Sequence, residues 1–297
     1  MHRFNKFLLS AVVCTLWVAA AFAAPIAEHV VLVSIDGASP RVMLESDMPV
    51  LMEMAKEGAH TWEAQTIMPS VTLIAHTSMM TGVSPAKHKT TKNDWKPDQD
   101  PVSVTTMFAE AKKLEWNTAF FSGKGKLEYL NIPGSLDHCV TPAYESQTVA
   151  DAAAAYIVEK KPNLTFVHFA EPDGAGHKHK WGSDEQKASL ADADKALATV
   201  KKAVEDAGIA DTTVFIVTAD HGGHENTHGT NSPEDMTIPW VVWGKGVKAG
   251  FDITEDVTVY DSAATALYIL DVPIPKEWDG KAIESAFAEA PVAVGVN

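Results

Sequence analysis

The chain has 297 residues, 46% of them hydrophobic and 21% charged, a globular balance that excludes fibrous and disordered classes. Its length permits a large core in one or two domains. With 24 basic against 39 acidic residues the formal charge is −15, which argues against nucleic acid or anionic lipid as a main partner.

The first 23 residues stand apart. His2, Arg3 and Lys6 make a basic start, "FLLSAVVCTLWVAAAFA" follows without a charge, and Ala21 and Ala23 sit where an A-x-A cleavage site needs small residues. This reads as a secretory signal cut after Ala23, or as an uncleaved N-terminal anchor. Cleavage removes Arg3 and Lys6 and leaves 22 basic against 39 acidic residues, a charge of −17. The expected location is secreted or periplasmic, with 24–297 as one mature domain and no membrane partner unless the signal is retained. Cys14 falls in the signal and Cys139 alone remains, so no internal disulfide can form.

Beyond the signal, strand and helix patterns alternate. "HVVLVSID" (29–36) is an apolar run ending in an acid, as for a strand buried on both faces. Residues 48–58 have helical spacing, and "TLIAHTSMMTG" (72–82) reads as a helix closed by Gly82. Further helices are expected at 104–116, 148–161, 184–208 and 259–270, and strands at 117–123, 163–173, 211–222 and 238–244. The pattern predicts an α/β fold: a mostly parallel sheet with helices on both faces, in one compact domain. Ligand sites of such folds lie beyond the carboxyl ends of the strands.

Asp36, Asp173 and Asp220 all fall at that edge. Each alone reads equally well as a helix cap. Together, with five of the twelve histidines between 177 and 228, they point to a metal site of mixed carboxylate and imidazole ligands. Zinc suits such a donor set, as do manganese and iron. "TADHGGHENTHGT" (218–230) concentrates His221, His224 and His228 in one glycine-broken loop. Thr72, where a turn enters a helix, reads as an N-cap or as an alcohol facing the site, where a bound metal would make it an alkoxide nucleophile.

The blocks "VSIDG", "MPSVT…HTSMMTG", "PDGAGH" and "ADHGGHENTHG", in that order, resemble the alkaline phosphatase superfamily. They are most similar to its nucleotide pyrophosphatase/phosphodiesterase branch, from about Val30 to the "VYDSAATALYILDVPIPKEWDG" tail. The resemblance implies two divalent metal ions. Asp173, His177 and His228 would hold one; Asp36, Asp220, His221 and the Thr72 oxygen would hold the other. It further implies attack by Thr72 on phosphorus, a phosphothreonine hydrolysed by water, and Asn93 hydrogen-bonded to a phosphoryl oxygen.

Three departures matter. Leu73, Ile74 and Ala75 stand where the diesterases read Phe-Pro-Asn, so a base-stacking surface is missing there. His228 follows His221 after only seven residues, without the long insertion of those enzymes. "SGKGKLEYL" resembles the paired-lysine stretch of phosphonoacetate hydrolases, so Lys124 and Lys126 are candidate substrate-binding residues. The C-x-P-S-R block of sulfatases is absent. The expected activity is hydrolysis of small anionic phosphoesters, of diester or nucleotide pyrophosphate type. The alternatives are a phosphomonoesterase or C–P hydrolase on the same site, or a non-catalytic metal binder. His224 is expected to be a bystander, His76 structural and His179 a surface residue.

Overall fold

The computed structural model of the chain describes residues 25–288, so the signal expected at 1–23 lies outside them. In chain order the elements are β1 (His29–Ile35), α1 (Pro40–Met43), α2 (Pro49–Glu57), β2 (Ala59–Gln65) and α3 (Thr72–Thr81). There follow α4 (Pro85–His88), α5 (Met107–Lys112), β3 (Thr118–Ser122), β4 (His138–Val140), α6 (Ser146–Lys160) and β5 (Leu164–Phe169). The chain continues with α7 (Glu171–His179), α8 (Asp184–Asp206), β6 (Thr213–Thr218), α9 (Pro233–Met236), β7 (Thr237–Gly244), β8 (Phe251–Asp252) and α10 (Asp261–Ile269). Among the described residues no helix is long and apolar enough to cross a membrane.

Eight strands form one sheet in the order β4-β3-β5-β1-β6-β7-β2-β8. Pairing is parallel throughout β4-β3-β5-β1-β6, and only β7 runs against its neighbours. The expected mostly parallel α/β sheet is therefore present. Strands β1, β3, β5 and β6 are buried at every residue, the pattern of central strands covered on both faces. Helices α2, α6, α7 and α8 pack as one layer, and α3, α5 and α10 as another.

Two local devices fix helices near the future site. α2 opens on Pro49, and buried Asp194 of α8 accepts from Val50 N–H and Leu51 N–H, both at 2.9 Å. Thus one acid of the long charged helix faces inward. α3 is buried along all ten residues and ends at Gly82, whose φ of 64° closes the helix as expected.

Strand β5 stops at Phe169, four residues before Asp173, and the expected strand 163–173 gives way to α7. The sequence reading also missed β2, β4 and β8. β2 alternates poorly and β8 has two residues, so neither shows a strand period.

Candidate active site

The parallel strands deliver their following residues to one edge. Asp36 comes directly after β1, Lys124 two residues after β3, and Asp220 and His221 just after β6. The segment after β2 leads to Thr72, the first residue of α3. Asp173 lies in the first turn of α7, and His177 follows one turn later. His228 returns from the loop after β6. Asp36, Thr72, Asp220 and His221 are at most 1% exposed, and Asp173 is 5% exposed. These side chains are spread over 193 positions of sequence, yet the topology makes them neighbours.

They form two groups. In the inner group His221 Nε2 stands 3.5 Å from Asp36 Oδ1, 3.3 Å from Asp220 Oδ2 and 3.5 Å from Thr72 Oγ1. In the outer group Asp173 Oδ1 stands 3.4 Å from His177 Nε2 and 3.6 Å from His228 Nε2. The rings of His221 and His228 stack with centroids 3.7 Å apart, so the groups touch. Ligand atoms of Asp36, Asp220 and His221, and likewise of Asp173, His221 and His228, lie within 4.8 Å of one another. His177 stands at the outer margin, its side chain 44% exposed.

The hydrogen bonds assign the tautomers. His221 Nδ1 lies 2.8 Å from Gly222 O, His228 Nδ1 2.8 Å from Ser70 O, and His177 Nδ1 2.9 Å from Asn226 O. A carbonyl only accepts, so each Nδ1 carries the proton and each Nε2 turns a lone pair toward the carboxylates. Burial holds His221 below its ordinary value, and burial with neighbouring His221 lowers His228 to about 4, so both rings are neutral. The facing oxygens Asp36 Oδ1, Asp173 Oδ1 and Asp220 Oδ2 are buried without a hydrogen-bond partner. Lone pair thus faces lone pair at both groups, an arrangement that a cation between them resolves. The donor set fits divalent metals with neutral imidazole and carboxylate ligands.

Around this centre lies a supporting layer. His168 Nε2 donates to Asp36 Oδ2 at 2.9 Å while its Nδ1 accepts from Gly123 N–H at 3.3 Å. His76 Nδ1 donates to the carbonyl of Thr72 at 2.8 Å, and its Nε2 accepts from Ser34 Oγ at 2.8 Å. Asp220 Oδ1 accepts from the N–H groups of Gly37, at φ 71°, and His221. Burial alone would raise the Asp36 carboxyl, but the Lys124 ammonium and His168 hold it well below the usual carboxylate range. Asp220 shows the reverse: burial and the charge of Asp36 push it well up.

Lys124 is not a solvated loop lysine. Its Nζ sits 2.7 Å from Asp36 Oδ2 and 2.6 Å from Asp173 Oδ2; burial opposes its charge, and these acids raise its pKa above the ordinary lysine value. Lys126 Nζ donates to Asn93 Oδ1 at 3.0 Å. The same oxygen accepts Leu73 N–H at 2.9 Å and so caps α3 beside Thr72. A cleft of about 220 Å³, lined among others by Leu73, Lys92, Trp95 and Tyr129, opens next to Asn93. A cleft of about 700 Å³ around Arg41, Trp62 and Glu234 contains none of these groups, so size alone does not mark the site.

Of the residues singled out in the sequence, Lys124 stands on the two acids and His224 binds Asp235 at 2.7 Å. His179 lies 3.7 Å from exposed Glu185, away from the centre. The sequence reading missed His168 altogether. Its one signal is a histidine inside an otherwise apolar strand, in register with Ser34 and Ser122 of the flanking strands.

Comparisons with known proteins bear on the family and the fold. The sequence is 30% identical over 212 residues to a 2,3-bisphosphoglycerate-independent phosphoglycerate mutase of Synechococcus elongatus, covering 63% of this chain and 39% of that protein. It is 25% identical over 187 residues to the mutase of the same description from Natronomonas pharaonis, covering 59% of this chain and 36% of that one. The chain thus matches about two fifths of the length of these curated relatives. Murine ectonucleotide pyrophosphatase/phosphodiesterase 5, solved in complex with AMP, superposes with a TM-score of 0.75 at 14% identity, covering 88% of this chain and 100% of that one. A 2-O GAG sulfatase gives 0.73 at 13% identity, over 88% of this chain and 74% of that one. The family profile described as type I phosphodiesterase / nucleotide pyrophosphatase matches residues 30–124 and 109–237, segments that contain every candidate ligand and Thr72. With most of its length matched, the chain belongs to the type I phosphodiesterase/nucleotide pyrophosphatase family.

Proposed function

We propose that this chain is a secreted or periplasmic hydrolase of small phosphoesters, of phosphodiester or nucleotide pyrophosphate type, acting through Thr72. One observation carries the reading: three Nδ1-protonated histidines turn their Nε2 lone pairs onto three buried, unpartnered carboxylate oxygens beside a buried threonine. Asp36, Asp220, His221 and Thr72 Oγ1 would hold one divalent ion, and Asp173, His177 and His228 the other, zinc being the best match and manganese or iron also suited. When bound, the ions supply positive charge that favours the Thr72 alkoxide and the charge on phosphoryl oxygens.

The residues of the chain do the rest. His76 holds the Thr72 carbonyl at the start of α3, and Thr72 Oγ1 stands 3.5 Å from His221 Nε2. Thr72 loses its hydroxyl proton to solvent, its oxygen forms a bond to phosphorus, and the opposite P–O bond breaks as the leaving group departs. Water then cleaves the phosphothreonine and restores Thr72. The Asn93 amide, hydrogen-bonded to Lys126 Nζ and to the Leu73 N–H beside Thr72, would orient the phosphoryl oxygens together with that lysine. With Leu73 in the place of an aromatic residue, Trp95 and Tyr129 are the rings available to contact a leaving group.

Support for a small anionic substrate comes from the AMP bound to the murine neighbour and from the phosphoglycerate named in the mutase relatives. The test is full-length purified protein, metal-analysed, with bis-p-nitrophenyl phosphate, a nucleotide p-nitrophenyl ester, p-nitrophenyl phosphate and phosphonoacetate. The diester or the nucleotide ester should turn over fastest. A strong preference for the monoester or for phosphonoacetate moves the activity to those alternatives, and no turnover of any of them supports a non-catalytic metal binder. The mutase relatives favour a second reading, transfer of the phosphoryl group from Thr72 to a substrate hydroxyl, which would leave no free phosphate where hydrolysis releases it.

A further inference from the structure

Lys124 joins the two ligand groups. Its ammonium takes Oδ2 of Asp36 and Oδ2 of Asp173, one acid from each group, at 2.7 and 2.6 Å. On both acids the other oxygen, Oδ1, is the buried atom that has no partner and faces a histidine Nε2. The lysine, joined at Asp36 by His168, therefore sets which oxygen of each carboxylate stays free. Its own backbone is pinned by Ser122, whose Oγ accepts Lys124 N–H and donates to Lys124 O, both at 3.0 Å. The side chain is 15% exposed, and His168 holds Asp36 Oδ2 from another strand.

We propose that Lys124 is a resident counter-ion of the metal centre: it holds Asp36 and Asp173 together in the metal-free chain, and once the ions enter its charge opposes them. This rests on the metal reading given above. The two effects have opposite signs because the lysine neutralises buried carboxylates that the ions would otherwise neutralise. Without ions, Asp36, Asp173 and Asp220 are three buried acids in one place, and the ammonium is the cation between two of them. With ions, a fixed positive charge a few Å away lowers the affinity by about tenfold or more, the scale of Coulomb repulsion at a partly buried site. The lysine thus keeps the site assembled for loading and lowers the affinity with which the ions are then held.

The experiment uses the full chain as wild type, Lys124→Met, Lys124→Arg and, as a distant control on α8, Lys195→Met. Thermal unfolding of chelator-stripped and zinc-loaded protein is measured with zinc affinity by chelator competition. Lys124→Met should melt lower than wild type when stripped yet bind zinc about tenfold more tightly or better. Lys124→Arg should restore both values toward wild type, and Lys195→Met should move neither. A lysine that only packs would lower both the stripped and the loaded melting points without tightening zinc, and one that only grips substrate would change neither; either result overturns the proposal. Should stripped Lys124→Met fail to fold, competition started from its loaded form still reads the affinity, and Lys124→Gln repeats the unfolding test. Equal zinc affinities overturn this inference alone, whereas a wild-type chain that takes up no divalent ion overturns the metal reading and this inference with it.

Discussion

The two ligand groups share a carbonyl-anchored, Nε2-facing histidine design but not an environment. The inner group, Asp36, Asp220 and His221, is fully buried and comes from residues directly after β1 and β6, the two strands at the middle of the sheet. The outer group hangs on α7 and on the returning loop, and His177 is 44% exposed at its side chain. Strand ends surrounded by packed neighbours hold a ligand rigidly, whereas a short helix and a loop open at lower cost. On the proposed two-ion reading, the inner ion should accordingly be the tightly held one and the outer ion the exchangeable one.

Thr72 belongs to the inner group and supplies the largest expected effect. Thr72→Ala should reduce turnover by roughly a thousandfold or more, the scale for loss of a nucleophile. Metal content should largely survive, because Asp36, Asp220 and His221 remain. Steady-state kinetics with metal analysis on the same sample check both halves; a mutant that keeps full activity removes Thr72 from the chemistry.

The contrast between groups is tested next by Asp36→Asn against His177→Ala. Asp36→Asn should lose the inner ion and turnover together, and added zinc should not restore them. It also leaves Lys124 beside an uncharged amide. His177→Ala should lose the outer ion after dialysis but recover activity as zinc is added, since Asp173 and His228 still face each other at 3.6 Å. If the two variants respond alike to added zinc, the inner and outer sites are not different in kind.

His168 sharpens the same point. Its Nε2 holds Asp36 Oδ2, and its Nδ1 faces the Gly123 N–H and Ser122 Oγ, so it supports a candidate ligand without belonging to either ligand group. Loss of such a supporting partner typically costs roughly 10–100-fold in metal affinity. His168→Ala should show that loss for one of the two ions, the inner one, in a two-site titration, and a mutant that weakens both equally would make its role general packing.

How far this site was legible in the sequence follows from what each residue depends on. Asp36 and Asp220 follow buried apolar strands, and a parallel sheet sends all such ends to one edge, so periodicity alone placed them together. Thr72 was legible as the start of a helix because Gly82 marks the other end. The group memberships of His177 and His228 came from family resemblance, and the structure places both on Asp173. Asp173 itself was expected at a strand end, but Pro172 and the acidic first turn start α7 there. The pairing of Lys124 with two acids, and His168 altogether, were opaque for another reason. Their meaning lies in partners 88 and 132 positions away, and no local pattern records which way a side chain turns. The motifs show which residues carry charge, and the tertiary pairing decides what each charge is for.

His224 is the smallest effect and the finest test of the loop that supplies both groups. It sits between His221 and His228, and the structure gives it a partner outside both ligand groups. Its Nδ1 is 2.7 Å from Asp235 Oδ1, while Asp235 Oδ2 accepts from Thr230 N–H at 2.8 Å and Oγ1 at 2.7 Å. The pair clasps the turn without facing an ion. The hydrogen bond to Asp235 raises His224, whereas burial would raise Asp235 but His224 and Thr230 hold it low. A raised histidine stabilises fully below its ordinary value of about 6.5 and loses that contribution as pH climbs through the raised one. A lowered carboxyl stabilises above its ordinary value of about 3.9 and loses that as pH falls through the lowered one. The clasp should therefore be strongest in mildly acidic solution. His224→Ala should lower the melting temperature of zinc-loaded protein by about 1–3 °C at pH 6 and hardly at all at pH 9. Both ions should stay bound, in contrast to His228→Ala, which should lose the outer one. Loss of an ion from His224→Ala at pH 8 would mean that the clasp sets ligand positions as well as loop stability, and the inner group, which takes His221 from the same loop, would then be less rigid than its burial suggests.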